Sequence, residues 1–290
     1  MKRLLFSIYG TTLLRQGFFI MQRTAVTMVL QTVSQINIRQ AASKTASVVC
    51  TAPANTDVKV VGAKIIWKNN IPFVKVSYKG KRGFTNGRHL RGLVLKVKNR
   101  DSAKYPKLAV IASGRASRRI KIPQQKKFGA FCQKHGCSMA AASIALQFRG
   151  ITKSPYEVYS YAKKHLGGYT GSKLTIFGIE KVVNKIAGKK IAVWKGCPEG
   201  TNKRIRTDIQ KAIHDGHIVL LEQKNPIHTN AVIGRDIDGK YVIATNGTTK
   251  KVTMNWLIKT VLHGKAGRKN QANWWKGTAH GAGYVIVKRA

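Results

Sequence analysis

His135-Gly136-Cys137, followed by Ser138, Met139 and the run Ala140-Ala141-Ala142, is the string best suited to chemistry in this chain. Ala141, Ile144, Ala145 and Phe148 recur at helical spacing, and Gly150 supplies a stop, so Cys137 opens a predicted helix. A cysteine at a helix start meets the positive end of the dipole and unpaired N–H groups, a setting that favours thiolate over thiol. The small residues behind it let other backbone pack close. Two other readings of the same string stand beside this one. A lone thiol is commonly just a buried core residue. Cys132, His135 and Cys137 could also ligate a metal, although C-x2-H-x-C lacks a fourth ligand and matches no common zinc pattern.

Partners for the thiol come from two later strings. His228-Thr229-Asn230-Ala231-Val232-Ile233-Gly234 sets a histidine before an apolar strand, and Tyr241-Val242-Ile243-Ala244-Thr245-Asn246-Gly247 is its expected hairpin mate. Asp238-Gly239 marks the turn between them. If Asp236–Gly239 is a four-residue loop, Arg235 pairs with Lys240 and Asn246 falls opposite Thr229, diagonal to His228. A two-residue loop would set Asn246 opposite Ala231. Cys137, His228 and Asn246 then have the types and the chain order of nucleophile, general base and orienting residue. His217 and His280 read instead as strand or loop histidines.

Such a site needs a scaffold, and the texture of the chain supplies two. From Ile36 onward, short β-like runs alternate with turns: Val58, Val60 and Val61, then Phe73–Tyr78 with Val74, Val76 and Tyr78 on one face, then Lys79-Gly80 as a tight turn. Residues 96–122 carry many cations and little apolar periodicity, which predicts an extended, self-repelling linker, with Leu108–Ala112 able to add a strand. From Pro123 the reading is helices, then strands. Helices are expected from Cys137 to Gly150, from the capping box Ser154-Pro155-Tyr156-Glu157 to about residue 166, over Leu174–Ala187, and over Ile209–His214. Strands are expected at Ile218–Glu222, Thr229–Gly234, Tyr241–Ala244 and Tyr284–Val287. That order defines an α+β class.

Charge narrows the chemistry further. The 290 residues hold 53 Lys and Arg against 10 Asp and Glu, a formal net charge of +43. Asp and Glu are so sparse that paired-carboxylate glycosidase chemistry has few candidates and acid-built divalent-metal sites almost none. Anionic surroundings are the natural company of such a surface, with teichoic-acid-like anionic polymers, nucleic acid and anionic membranes all possible, and nonspecific nucleic-acid binding follows from charge alone. Trp274-Trp275 among Arg268, Lys269 and Lys276 could stack on bases or sugars, or simply pack the last strand. The four cysteines are too few and scattered for a disulfide scaffold. No segment reaches the ~18–20 apolar residues of a membrane span. Met1-Lys2-Arg3 and the apolar run after it read as a degenerate export signal or an unstructured extension over residues 1–34.

Two resemblances are carried by these strings. Asn37-Ile38-Arg39 with Ala42-Ser43, Val48-Val49, Phe73-Val74-Lys75-Val76, Tyr78–Phe84 and Leu90 resemble a bacterial SH3 domain over roughly residues 35–95, implying a small β-barrel that binds cell-wall peptide or acts as a spacer. An Ile-Pro-Phe stands where that family usually has a Trp. Residues 123–290 resemble the C39-like branch of papain-fold cysteine peptidases through Ile122-Pro123-Gln124, Gly136-Cys137 and its helix, Gln147-Phe148-Arg149-Gly150, Asp215–Leu220, His228 and Tyr241-Val242-Ile243. This resemblance implies a papain-like fold, helices first and antiparallel sheet second, with Cys137 as nucleophile, His228 as base and Asn246 as orienter. It also implies an oxyanion-hole glutamine, for which Gln133 is the choice, with Gln124 and Gln125 farther upstream; the Cys137 N–H can serve in any case. Ser138-Met139 replace the family's Gly-Pro, and Asn246 replaces its commoner Asp.

The expected activity is therefore hydrolysis of peptide or peptidoglycan amide bonds, without cofactor or metal, by a secreted or cell-surface protein, with cytoplasmic residence as the alternative. A noncatalytic polycationic wall- or nucleic-acid-binding protein on a decayed peptidase fold is the rival.

Overall fold

Alternation of apolar and charged residues builds the N-terminal region, in which β1 (Met28–Gln31), β2 (Ile36–Arg39), β3 (Val48–Ala52), β4 (Asp57–Lys68), β5 (Ile71–Tyr78) and β6 (Lys81–Asn86) form one antiparallel sheet ordered β1-β4-β5-β6-β2-β3. The computed structural model of the protein describes residues 28–114, 117–165, 176–197, 200–224, 228–261 and 283–289. Met28, Leu30, Val58, Val60, Val74 and Val76 turn inward with Ile38 and Leu90, while Lys59 and Lys75 on the alternate positions are exposed. The sheet begins earlier than expected. Met28 pairs with Val60 and Gln31 with Asp57, so β1 is part of this sheet. The rest of the proposed extension lies outside the described residues.

The expected linker is also a folded element. β7 (Val94–Asn99), β8 (Lys107–Ile111) and β9 (Arg118–Ile122) make a three-stranded antiparallel sheet. Its cations obscure a strict alternation. Ala109, Ile111, Ile120 and Ile122 are buried, whereas Lys96, Lys98, Arg119 and Lys121 are exposed. The buried set packs in one cluster with the helix that begins at Cys137. A boundary at residue 123 would cut through that core.

Beyond it come α1 (Ala130–His135), α2 (Cys137–Phe148), α3 (Pro155–His165), α4 (Ile176–Ala187), β10 (Ala192–Gly196), α5 (Asn202–His214), β11 (Ile218–Gln223), β12 (His228–Arg235), β13 (Tyr241–Thr245), β14 (Thr248–Val252), α6 (Met254–Thr260) and β15 (Gly283–Val287). The strands form an antiparallel sheet ordered β10-β15-β11-β12-β13-β14. Mixed α and β with antiparallel sheets is the architecture throughout. The capping box at α3 is reciprocal: Ser154 N donates to Glu157 Oε2 at 2.8 Å and Glu157 N to Ser154 Oγ at 3.2 Å. α5 starts seven residues before the expected Ile209 because Ile205, Ile209, Ala212 and Ile213 form its buried stripe beneath a basic first turn. The end of α3, and with it the expected Gly167-Gly168 stop, lies outside the described residues, as do His280 and the Trp274-Trp275 pair.

The large sheet is covered on both faces. Ile218, Leu220, Ala231, Ile233, Val242 and Ala244 pack against α2 and α4, while Val219, Leu221, Val232, Tyr241 and Ile243 pack with the apolar residues of α5 and α6. The N-terminal region joins through Gly92 O, which accepts from Arg235 N at 2.7 Å, and through His214 Nε2, 3.0 Å from Asp57 Oδ1. No helix among the described residues is long and apolar enough to cross a membrane.

If residues 96–122 are a core element, Ile120→Ala should cost about 2–5 kcal/mol in urea unfolding, whereas Arg119→Ala should stay within about 0.5 kcal/mol. Equal, small effects of the two would mean that the segment is a linker after all.

Candidate active site

The direction of α2 decides what Cys137 can reach. After its C-terminus, Arg149 Nη1 donates to Lys288 O at 3.1 Å, beside the end of β15. Ile218 pairs with Val287 there, and the other end of β11 is where Gln223 pairs with His228. A twelve-residue helix is about 18 Å long, which matches the length of β11. The Cys137 end of α2 therefore lies over the sheet end that carries Glu222, His228, Thr245 and Asn246. Gln125 ties the two together: its N–H donates to Asn246 Oδ1 at 3.1 Å, and its Nε2 approaches Gln133 O, one helical turn before Cys137, at 3.4 Å.

Gly136 makes the abrupt start of α2. A Cβ at this position would lie 2.3 Å from Cys132 O, so no other residue lets α1 and α2 meet this closely. Cys137 is the first residue of α2 and is half-buried. Around it, Gln125 Oε1, His135 Nδ1 and Ser138 Oγ are buried without a hydrogen-bond partner among the described residues. Polar atoms elsewhere, Arg100 Nη1 and Asn230 Oδ1 among them, are buried in the same way. Cys132 is different in kind. It is fully buried in the α2 core, and burial pushes its thiol upward. Among the described residues no three His, Cys, Asp or Glu side chains gather as metal ligands would, and all four cysteines are free.

The hairpin reaches its register by a route the sequence did not suggest. Asp236 Oδ1 accepts from the N–H groups of Asp238 and Lys240, fixing a turn after which Arg235 faces Tyr241, not Lys240. A bulge between Val232 and Gly234 then shifts the pairing by one, so Ala231 faces Ala244. Continuing that register sets Asn246 opposite Thr229, as expected. Alternation, however, places Thr229 on the α2 face, and His228 with Asn230 and Thr245 on the face turned toward α5 and α6, while Asn246 has left the strand for the turn. His228 Nε2 lies 2.7 Å from Thr245 Oγ1, and Asn246 is engaged by Gln125. The diagonal expected between His228 and Asn246 thus gives way to these two contacts. Thr245 is the partner that was missed, and counting the period of two across the register would have found it. Asn246 and Gly247 both have positive φ, 31° and 78°, making the β13–β14 turn.

Gln133 is exposed on α1. Gln124 instead lies against the turn, where a Cβ on Gly247 would meet its Oε1 at 2.0 Å. His217, read as structural, accepts from Arg289 N through Nδ1 at 3.2 Å, a bond only the neutral ring can make.

Two known families match the chain. Residues 34–91 match the bacterial SH3 domain, and residues 119–276 match the Peptidase_C39 like family. The second match takes in more than half of the chain, and the protein belongs to that family: a bacterial SH3 domain followed by a C39-like peptidase domain. No curated protein matches the chain. Among solved structures it is similar to NlpC2 from Trichomonas vaginalis, at 14% identity, 79% of this chain, 68% of that chain and a TM-score of 0.20. NlpC1 from the same organism gives 14%, 79%, 65% and 0.19. At such scores the chains do not superpose as wholes.

Burial lowers the pKa of His228, and burial together with nearby Arg289, Lys288 and Lys211 lowers that of His217 against the pull of Asp215. An unfolded histidine near 6.5 binds protons that these folded ones refuse, so their contribution to stability is complete above pH 6.5 and is lost as pH falls below it. Tm should therefore drop between pH 7 and pH 5, and the drop should shrink in His217→Gln and His228→Gln. An unchanged slope in both variants would remove these residues as the cause.

Proposed function

We propose that the protein is a cysteine peptidase that hydrolyses peptide or cell-wall amide bonds and is held at its substrate by the N-terminal SH3-like domain. The observation that carries this reading is a half-buried cysteine at the start of a buried helix, set over the strand ends that bear His228 and Asn246, within the region of the family match. Helices followed by an antiparallel sheet support a papain-like fold, and the match of residues 34–91 to the bacterial SH3 domain supports an SH3-like domain there. A wall substrate implies a secreted or surface location.

In this reading the Cys137 thiolate attacks the amide carbonyl carbon, and the developing oxyanion takes hydrogen bonds from the Cys137 N–H and one of Gln124, Gln125 and Gln133. His228 has taken the thiol proton and gives it to the leaving amine as the C–N bond breaks. Water, deprotonated by His228, then cleaves the thioester and frees the carboxylic acid and the thiol. Burial keeps the His228 imidazole neutral near pH 7, the form a base requires. Thr245 Oγ1 holds the ring from one side. Asn246, bonded to the Gln125 N–H, braces the segment that precedes α1.

One observation favours the noncatalytic reading: alternation on β12 turns His228 away from the face on which α2 packs, so its ring must come round the first residue of the strand to meet Cys137. Iodoacetamide labelling separates the two. An enzyme should alkylate Cys137 at neutral pH well above the rate of free cysteine, with His228→Ala slowing it. On a cleaved peptide or peptidoglycan, His228→Ala should lower kcat/KM about 10²–10⁴-fold and Cys137→Ala abolish turnover. Thr245→Val should cost about tenfold and Thr245→Ser much less, since one charge-assisted hydrogen bond is at stake. Labelling no faster than free cysteine, with no turnover on any amide, would leave the binding protein.

A further inference from the structure

A groove of about 520 Å³ runs between the N-terminal sheet and the three-stranded sheet, far from the chemistry of Cys137. Trp67 and Asn70 at the β4–β5 hairpin form one wall, and Lys96, Lys98 and Arg119 from β7 and β9 form the other, with Arg88 between. The lining contains no Asp or Glu, and none of its four cations joins an ion pair among the described residues. Elsewhere on the surface Glu157, Asp208, Asp215 and Asp236 each meet a lysine. Arg88 Nη2 donates to Asn70 O at 2.6 Å, which anchors the guanidinium, while its Nε is buried without a partner.

Spacing gives the ligand its form. Lys96 and Lys98 are two residues apart on one strand and point to the same side, about 6.5 Å from each other. That is close to the separation of successive phosphates along an extended phosphodiester chain. The one aromatic ring present, Trp67, has Lys96 Nζ over its face at 5.6 Å. Single-stranded nucleic acid is bound by several aromatic platforms for successive bases, and this lining supplies a single ring, 38% exposed. With four cations to one ring, the groove suits backbone charge better than a run of stacked bases.

We propose that this groove binds a base-free phosphodiester polyanion, a polyol-phosphate chain of the poly(glycerol phosphate) type, and holds the protein on it independently of the peptidase site. The test uses the full chain and fluorescence anisotropy with a labelled poly(glycerol phosphate) oligomer, and with oligo(dT) carrying the same number of phosphates. A triple variant, Lys96→Ser, Lys98→Ser and Arg119→Ser, is compared with a control of equal charge loss, Lys59→Ser, Lys163→Ser and Lys164→Ser, both checked for unchanged Tm. The groove variant should bind the oligomer at least tenfold more weakly, with its dependence of log Kd on log salt flattened by about two phosphate contacts, while the control stays within twofold. Wild type should prefer the glycerol phosphate oligomer to oligo(dT), and turnover of a neutral peptide should be the same in all three proteins. Equal weakening by the control would show that net charge, not the groove, does the binding. Tighter oligo(dT) binding that is lost in Trp67→Ala would make the ligand nucleic acid and overturn the proposal.

Discussion

Helix α2 is surrounded on all sides, and the remaining architecture is arranged around that constraint. Every residue from Ser138 to Leu146 is buried. A helix with no solvent face must be apolar or small all round, and Ala140, Ala141, Ala142 and Ala145 keep it narrow enough for β9 to pack on one side and β12 on the other. The polar positions have assigned tasks: Ser143 Oγ donates to Lys153 O, and Gln147 bonds both N–H and C=O of Lys121 in β9. Such a helix cannot slide or rotate without breaking contacts in several directions. Its first residue, Cys137, inherits that immobility, which is what a reacting atom needs.

The same constraint explains why the three-stranded sheet had to fold. One side of α2 would face water without Ala109, Ile111, Ile120 and Ile122. The strands that supply them are studded with lysine and arginine on the outer face, so the layer that completes the core also carries the densest charge. Scarce acids are spent locally: Asp208 takes Lys195 and Tyr284, and Asp236 takes the turn N–H groups and Lys251.

The legible parts of this protein were those whose signals are local. The capping box of α3, the apolar period of α2, the β11–β13 strands and the Asp238-Gly239 turn all appear where the residues predict them. Cys137, His228 and Asn246 could be picked out by type and order. What escaped was set by packing or by charge masking. β7, β9 and the first turns of α5 carry cations at positions that dilute any hydrophobic count, yet each has a clean buried stripe once a partner surface exists. β1 hides in a stretch that resembles a leader because an apolar strand next to basic residues has the same composition. The pairing of His228 with Thr245 was open to a count of the period of two, whereas the bulge by which the hairpin reaches its register has no residue signature beyond Gly234.

That bulge works like an inserted letter in a reading frame. From the Asp236 turn to Gly234 the hairpin is aligned in one frame, and from Val232 to the strand start in another. A chain that lost Ile233, the extra residue on β12, would keep Val232 opposite Ile243 and Ala231 opposite Ala244, so the neighbours of His228 on β13 would stay as they are. What the loss would move is the far end of the hairpin, where Arg235 N meets Gly92 O, so such a deletion would strike the joint with the N-terminal region and spare the histidine.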